Sequence, residues 1–259
     1  VIDAEIDILR ELGVTIRCGM EVGKDVTLAQ LRAQGYKAFY LAIGCQGGRT
    51  AGVPGENAAG IQTAVALLRT VGGDESHKMT GKTVVIGGGN VAIDAARVAL
   101  RCGSSDVTMV CLEPRGKMPA SAEEIAEAEE EGTAIRCGYG PKEFLTKDGH
   151  VCGVVLKRCT GLYDAEGRFA PTYDESVTIT LPCDNVVLSI GQCIQWGNLL
   201  DGEAVQLGRG QGAVADAMTY QTAQSDIFVG GDVYTGPRFA IDAIAAGKQG
   251  AISIHRFVQ

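Results

Sequence analysis

The residues best suited to hold a ligand lie between a strand pattern and an amphipathic helix pattern near the middle of the chain. Residues 84–92 read VVIGGGNVA and contain the spacing G-x-G-x-x-A. The first glycine of this motif permits a tight turn, the second lets the backbone approach a pyrophosphate, and the alanine allows close helix–strand packing. The helix start adds free N–H groups and a positive dipole end. This context predicts a dinucleotide site rather than a glycine-rich turn without a ligand. Its residues are Gly87, Gly88, Gly89, Asn90, Val91 and Ala92.

A carboxylate follows the next strand pattern of the same segment. Glu113 lies about 20 residues beyond the glycines, at the offset where an acidic side chain binds the ribose 2′-hydroxyl of NAD. Such a carboxylate repels the 2′-phosphate of NADP. Arg115 and Lys117 follow at once and are able to pair with that phosphate, or the segment is a solvated charged turn. Both nucleotides therefore stay open, with NAD favoured.

A second candidate site lies near the C-terminus. Gly231 and Asp232 directly follow the apolar strand pattern at 226–229. An Asp in this place can hydrogen-bond a polyol hydroxyl, and the helix that starts near Phe239 can stabilise negative charge such as that of a reduced flavin ring. On spacing alone, a simple turn residue is the preferred interpretation of Asp232.

The elements around these sites alternate between strand and helix patterns, which predicts an α/β fold with a parallel sheet. The segment 46–186 holds the glycine motif, and its part 143–180 is typical of an antiparallel meander. The flanks 1–45 and 187–259 share buried strands that end in glycine, so we expect them to pair into one second domain. The remaining patterns predict helices from Ile2 to Leu12 and at 239–257, a strand at 14–18, and capping boxes at 27–30 and 121–124.

The helix pattern that begins at Ser121 is strongly acidic. Glu123, Glu127 and Glu131 repeat at helical spacing without a Lys between them, which is mildly destabilising within one helix. A partner-docking surface is one interpretation, and a solvated face is the preferred one.

The composition excludes several classes of protein. The net charge of −8 disfavours nucleic acid as a partner, and no apolar run reaches the ~20 residues of a membrane span. The nine cysteines include no C-x-x-C pair, which is typical of reduced thiols in a cytoplasmic protein and not of a metal site or a redox-active dithiol. The three scattered histidines disfavour a His-based hydrolase.

Several ordered segments together carry a family resemblance. They are LAIGCQGGRTAGVPGENAAGI at 41–61, VVIGGGNVAIDAARVALRCG at 84–103, MPASAEEIAEAEEEG at 118–132, VVLSIGQ at 186–192, IFVGGDV at 227–233 and AIDAIAAGKQGAISI at 240–254. On these residues the chain resembles the flavin-containing NAD(P)H oxidoreductases of the glutamate synthase small (beta) subunit type. A similar module occurs in dihydropyrimidine dehydrogenase.

The resemblance implies a glutathione-reductase-like, two-domain flavoprotein, with a Rossmann-type NAD(P)H domain inserted into a partial FAD domain. It implies that Gly231 and Asp232 hold the ribityl–phosphate region of FAD, and that Ala240 and Ile241 face the flavin ring. It also places Gly44 and Gly191 near the domain crossings. The implied reaction is hydride transfer from NAD(P)H to FAD, without an acid–base side chain, and onward transfer to iron–sulfur centres or a partner subunit.

Two departures from the family pattern shape these expectations. Residues 1–45 lack the G-x-G-x-x-G that holds the ADP half of FAD, and the upstream iron–sulfur cysteine segment is also missing. We therefore expect the C-terminal part of a longer protein, with FAD held by the full-length parent. Relatives often carry paired Arg where this chain has Leu112 and Glu113, which supports NADH. A flavin-free nucleotide-binding subunit is the alternative function, and a disulfide reductase is disfavoured because C-x-x-C is absent.

Overall fold

The computed structural model describes residues 2–259, which form two compact units. One unit is Gln46–Cys193, and the other combines residues 2–45 with Ile194–Gln259. In chain order the helices are α1 (Ile2–Glu11), α2 (Leu28–Ala33), α3 (Ala64–Gly73), α4 (Asn90–Arg101), α5 (Ala122–Glu130), α6 (Asp232–Thr235) and α7 (Ala240–Val258). The strands are β1 (Phe39–Leu41), β2 (Gly47–Gly48), β3 (Ile61–Thr63), β4 (Lys82–Ile86), β5 (Asp106–Cys111), β6 (Ala134–Cys137), β7 (Tyr139–Lys147), β8 (His150–Tyr163), β9 (Phe169–Pro182), β10 (Asn185–Leu188), β11 (Gln192–Cys193) and β12 (Ile227–Val229).

A five-stranded parallel sheet forms the centre of the unit Gln46–Cys193. Its strand order is β3-β10-β4-β5-β6, and every neighbouring pair is parallel, as the alternating patterns predict. Parallel strands end at the same edge of a sheet. The glycines after β4, Glu113 after β5 and Ser189 after β10 therefore follow neighbouring strands at one edge.

Helix α4 packs closely on this sheet because its buried stripe is made mostly of alanine. Ala92, Ala95, Ala96 and Ala99 are fully buried, and Ile93 is the one large side chain among them. Buried residues of α3 and α5 join the same core cluster on either side of α4. Small side chains let the helix start approach the end of β4, as the alanine of the glycine motif predicts.

The opposite face of the parallel sheet carries the antiparallel sheet β7-β8-β9. Phe144, Val154 and Leu156 pack from it against Val84, Val110 and other residues of the parallel sheet. The predicted antiparallel meander is therefore confirmed and extends slightly beyond 143–180. The unit Gln46–Cys193 has three layers: helices, parallel sheet and antiparallel sheet.

The unit built from the two flanks is held together by a parallel pair of strands. β1 pairs with β12 in the register Phe39↔Ile227, Tyr40↔Phe228 and Leu41↔Val229. On α2, Arg32 lies 2.7 Å from Glu203 and 2.5 Å from Asp226, so one guanidinium joins two downstream segments to the first flank. The predicted C-terminal helix is confirmed as α7.

Two expectations need correction. Residues 14–18 form no strand, whereas the predicted helix α1 is confirmed and has no buried residue. The second crossing between units lies between 193 and 194 and not after 186, because β10 pairs with both β3 and β4 inside the parallel sheet. The expected acidic face contains no Lys of its own, but Arg97 and Arg101 of the neighbouring helix α4 pair with Glu131.

Candidate functional site

Gly87 makes the turn from β4 toward α4. Its N–H donates to the Val110 carbonyl at 2.8 Å, which ties the turn to β5. Its φ is +150°, and a Cβ at this position would collide with the main-chain carbonyl of Ser189. A side chain is excluded both by the backbone conformation and by a strand neighbour, so Gly87 has a structural requirement for glycine.

The two following glycines have different surroundings. A Cβ on Gly88 would lie 2.8 Å from Glu113 Oε2 and 2.9 Å from Cys111 Cβ, so this glycine packs against the end of β5. A Cβ on Gly89 would meet nothing within 4 Å. Gly89 is the N-cap residue of α4, and no side chain caps the helix there. The Asn90 and Val91 N–H groups at this helix start donate to no acceptor among residues 2–259, so they are available to a phosphate.

The next residues of the motif support this helix start. In the first turn of α4, Ala92 is fully buried and Val91 is partly exposed. The side-chain oxygen of Asn90 accepts a hydrogen bond of 2.9 Å from the Ser121 N–H. Ala120 N–H likewise donates to the Gly88 carbonyl at 3.0 Å. The segment before α5 is therefore hydrogen-bonded to the glycine loop and the first residue of α4. The sequence did not reveal this contact.

The structure separates the roles of the charged residues after β5. Glu113 is partly buried, and its carboxylate lies beside Gly88. Arg115 points instead to Glu129 of α5 and forms an ion pair with it. Lys117 forms no ion pair with any residue in the range 2–259. The acidic member of the group is the one adjacent to the glycine loop.

Cys111 and Cys137 are paired across β5 and β6, and their sulfur atoms lie 3.7 Å apart. Burial, and next the Cys137 thiol beside it, raises the pKa of Cys111 above the usual thiol value. A thiol with a raised pKa is a poor nucleophile at neutral pH. No disulfide joins the cysteines of residues 2–259, and this range contains no cluster of three His, Cys, Asp or Glu ligands for a metal.

The second candidate site lies in the unit formed by the flanks. Gly231 has φ +66° and begins the short helix α6. Asp232 Oδ1 accepts a hydrogen bond of 3.2 Å from the Arg238 N–H, which brings this carboxylate to the segment leading into α7. Cys45, next to Gly44, donates from Sγ to the Asp232 carbonyl at 3.8 Å. Residues from both flanks thus meet at Asp232.

The start of α7 is open. Its N-cap residue Phe239 makes no side-chain capping hydrogen bond, Ala240 is exposed, and Ile241 is 68% exposed. An uncapped helix start with apolar side chains suits a flat aromatic ring that carries negative charge. Gly191 lies in the other unit, where its carbonyl accepts the Arg49 N–H at 3.0 Å beside the β2–β11 pair.

Tyr40 is a feature that the sequence did not reveal. Its ring packs so closely on Gly230 and Gly250 that a Cβ at either position would overlap it. Its hydroxyl is buried and has no hydrogen-bond partner among the described residues. Burial raises the pKa of Tyr40, so the phenol stays protonated.

These observations fit the two cofactors to different degrees. The glycine loop has the uncapped helix start, the open position at Gly89 and the neighbouring carboxylate that NAD(P)H binding needs. Asp232 and the start of α7 fit the ribityl and ring portions of a flavin. Residues 2–45 contain no second G-x-G-x-x-G to hold the adenosine portion.

A family model described as pyridine nucleotide-disulphide oxidoreductase matches residues 4–247. The chain belongs to this family. The match runs through both units, which explains why the fold combines a glycine-loop domain with paired flanks.

Members of the pyridine nucleotide-disulphide oxidoreductase family resemble this chain over most or all of its length. It is 35% identical to the NADP(+)-dependent formate dehydrogenase subunit beta of Moorella thermoacetica, covering 100% of this chain and 37% of that protein. It is 31% identical to the glutamate synthase [NADPH] small chain of Azospirillum brasilense and 29% identical to the NAD-dependent dihydropyrimidine dehydrogenase subunit PreT of Escherichia coli O157:H7, covering all of this chain and 56% of each. The predicted resemblance is confirmed, and the chain spans about half the length of these relatives or less.

Solved structures show the same fold. Mycobacterium tuberculosis FprA in complex with NADPH has a TM-score of 0.71 at 20% identity, over 92% of this chain and 67% of FprA. The predicted glutathione-reductase-like, two-domain α/β fold is thereby confirmed. Within residues 2–259, no helix combines the length and the apolar character needed to cross a bilayer.

Proposed function

We propose that this chain is the NAD(P)H-binding part, with a portion of the FAD-binding part, of an oxidoreductase that transfers a hydride from a nicotinamide to a flavin. The observation that carries this proposal is the glycine loop at 87–89. It ends at an uncapped helix start, and a Cβ at Gly89 would face open space. Family membership supplies the class of reaction.

The residues of the loop bind and orient the nucleotide. The main-chain N–H groups from Gly89 to Val91 receive the pyrophosphate, which the dipole of α4 stabilises. Glu113 accepts hydrogen bonds from the ribose hydroxyls. The nicotinamide, when bound, donates a hydride that the flavin accepts. No acid–base side chain is assigned, since this transfer needs orientation more than proton movement.

We propose NADH rather than NADPH as the preferred nucleotide. The carboxylate of Glu113 lies beside Gly88 and would repel a 2′-phosphate. The guanidinium of Arg115, a cation able to pair with that phosphate, is instead ion-paired with Glu129. The named relatives include proteins of both specificities, so the local charges carry this proposal.

We propose that Asp232 and the start of α7, at Ala240 and Ile241, form the flavin-facing part of the full-length enzyme. Asp232 Oδ2 accepts no hydrogen bond from residues 2–259 and is available to a ribityl hydroxyl. The electrons would then pass to iron–sulfur centres or to a partner subunit in the cytoplasm. The sequence predicts domains 1–45, 46–186 and 187–259, and we now place the second boundary after residue 193. Gly44 and Gly191 would lie near the two points where the chain crosses between domains.

The proposal is tested by NADH binding to the purified chain, followed by nucleotide fluorescence. Gly89→Ala places a methyl group in open space at a φ of −94°, so the fold should be retained. Binding should weaken at least tenfold because the methyl occupies the place of the pyrophosphate. Gly72→Ala, a glycine of α3 with nothing within 4 Å, is the matched control. Equal NADH affinity in the wild type and Gly89→Ala would overturn the proposal.

A visible spectrum separates the enzyme from the alternative of a flavin-free binding module. A flavin band that bleaches on anaerobic addition of NADH would show that the chain assembles an active flavin site. NADH binding without a flavin band, even after FAD is added, would assign the chain a nucleotide-binding role and leave hydride transfer to the longer parent.

A further inference from the structure

Three sulfur atoms meet under α5, at the end of the parallel sheet. Cys111 Sγ lies 3.7 Å from Cys137 Sγ, and Cys137 Sγ lies 3.9 Å from Met118 Sδ. We refer to Cys111, Cys137 and Met118 as the sulfur triad. The role proposed for the glycine loop uses none of these side chains.

The fold brings the sulfur triad together from three separate positions. Cys111 and Cys137 are register partners on β5 and β6, so their side chains leave the sheet on the same face. Met118 follows the turn after β5 and folds back over them. Cys111 is 2% exposed and Met118 is 9% exposed, whereas Cys137 is half-buried. The triad is therefore enclosed and is approached from the side of Cys137.

The distances match those of a metal centre rather than those of a covalent bond. A metal–thiolate bond of about 2.3 Å places the sulfur atoms of a trigonal or tetrahedral centre about 3.8–4.0 Å apart. A disulfide needs sulfur atoms about 2.05 Å apart. The 3.7 Å separation of the two thiols is too long for a disulfide, and the thioether of Met118 adds a ligand that soft cations prefer.

We propose that Cys111, Cys137 and Met118 form a binding site for one soft monovalent cation, Cu⁺ or Ag⁺. Thiolate and thioether ligands select Cu⁺ over harder ions. Both thiols release their protons to solvent on binding, because cysteine ligates a metal as the thiolate, so the cation, two thiolates and the thioether together carry one negative charge. Cys137 is only half-buried, which places part of this charge near solvent. The cation would lie beside Gly88, whose Cβ position is 2.9 Å from Cys111 Cβ.

The test is an anaerobic titration of the reduced chain with Cu⁺ against a chromogenic Cu⁺ chelator. Cys18 and Cys152 are exposed and could each bind Cu⁺ singly, so both are replaced by Ser in every variant. In this background we expect one Cu⁺ per chain to be withheld from the chelator. X-ray absorption should show sulfur ligands at about 2.3 Å, and Ag⁺ should displace the Cu⁺.

Substitutions identify the ligands. Cys137→Ser should lower the affinity for Cu⁺ at least a hundredfold, and Met118→Leu, which conserves volume, about tenfold. Cys102→Ser and Met109→Leu change buried sulfur residues of the same core outside the triad and should leave the affinity unchanged. The proposal is overturned if the background protein, with Cys18 and Cys152 replaced by Ser, withholds no Cu⁺ from the chelator. It is also overturned if Met118→Leu and Met109→Leu bind Cu⁺ with equal affinity. An X-ray absorption spectrum of the Cu⁺-loaded background protein without sulfur ligands would also overturn the proposal. This measurement does not depend on whether Cys137→Ser folds.

Discussion

The carboxylate of Glu113 lies against Gly88 at the edge of the parallel sheet, where a methyl group added to the glycine would come within 2.8 Å of Glu113 Oε2. The acidic residue therefore borders the loop that we propose holds the pyrophosphate. Arg115, which follows the same strand, is ion-paired with Glu129 of α5 instead. We therefore expect these two charges to decide between NADH and NADPH if the nucleotide binds as proposed.

Glu113→Gln should narrow the preference for NADH. The amide can still hydrogen-bond a ribose hydroxyl but no longer repels a 2′-phosphate, so the ratio of the NADPH and NADH dissociation constants should fall about tenfold. Fluorescence titration with each nucleotide measures this ratio. Glu130→Gln, an exposed residue of α5, is the control and should leave the ratio unchanged. A Glu113→Gln ratio equal to that of the wild type would remove Glu113 from the ribose site.

Glu129→Gln should act in the same direction by a different route. It releases Arg115 from its partner, so NADPH should bind several-fold more tightly while NADH affinity stays constant. The gain should shrink at high salt, because the released arginine is solvent-exposed. Combining Glu129→Gln with Arg115→Gln should abolish the gain, and persistence of the gain would assign it to another group.

Gly87→Ala should destabilise the unit Gln46–Cys193. The substitution forces an alanine into φ +150° and against the Ser189 carbonyl, at a cost of order 1–3 kcal/mol. Thermal unfolding followed by circular dichroism should show a lower Tm. Gly72→Ala, in α3 and without strain, should leave the Tm unchanged or raise it. Equal melting temperatures for the two variants would mean that the turn relaxes freely.

Arg32 should be important for the stability of the unit formed by the flanks. Arg32→Met leaves the carboxylates of Glu203 and Asp226 facing each other, with side chains 4% and 15% exposed. We expect a loss of about 2–3 kcal/mol, below the value for a fully buried pair because Arg32 itself is partly exposed. The single Trp, Trp196, lies in this unit and reports its unfolding in urea. Arg10→Met breaks an exposed ion pair and should cost less than about 1 kcal/mol.

The pairing of Glu131 should make stability depend on pH in the acid range. Arg101 and Arg97 lower the pKa of Glu131 from 4.5 to about 2. A lowered carboxyl pKa stabilises the folded state above the unfolded value, and this contribution is lost as the pH falls from 4.5 toward 2. The Tm difference between the wild type and Glu131→Gln should therefore be present at pH 7 and shrink below pH 4.5. A difference that does not change with pH would show that the effect is not electrostatic.

Local signals predicted more of this protein than long-range contacts did. The cap of α2 by Thr27 and Gln30, the α4 stripe and the glycine loop are encoded within a few residues, and each was predictable from spacing. The strand expected at 14–18 has the right residue types but no neighbouring strand to pair with in the described chain. Propensity alone does not make a strand without a hydrogen-bonding partner.

The contacts missed in the candidate sites join residues far apart in sequence. The cations that neutralise Glu131 belong to α4, so an analysis within α5 could not find them. The sulfur triad depends on the register of β5 against β6. Fold class and cofactor class were accessible from motifs, whereas ion pairs and register required the packed structure.

The position of β10 between β3 and β4 also determines when the parallel sheet can be completed during synthesis. β4 and the glycine loop leave the ribosome well before β10, because the whole antiparallel sheet is encoded between them. Until residues 185–189 emerge, β4 has an open edge and Gly87 lacks the carbonyl of Ser189 behind it. Such long-range pairing is slow, and open strand edges aggregate. We therefore expect a nascent chain that pauses before β10 to aggregate more readily than the completed chain.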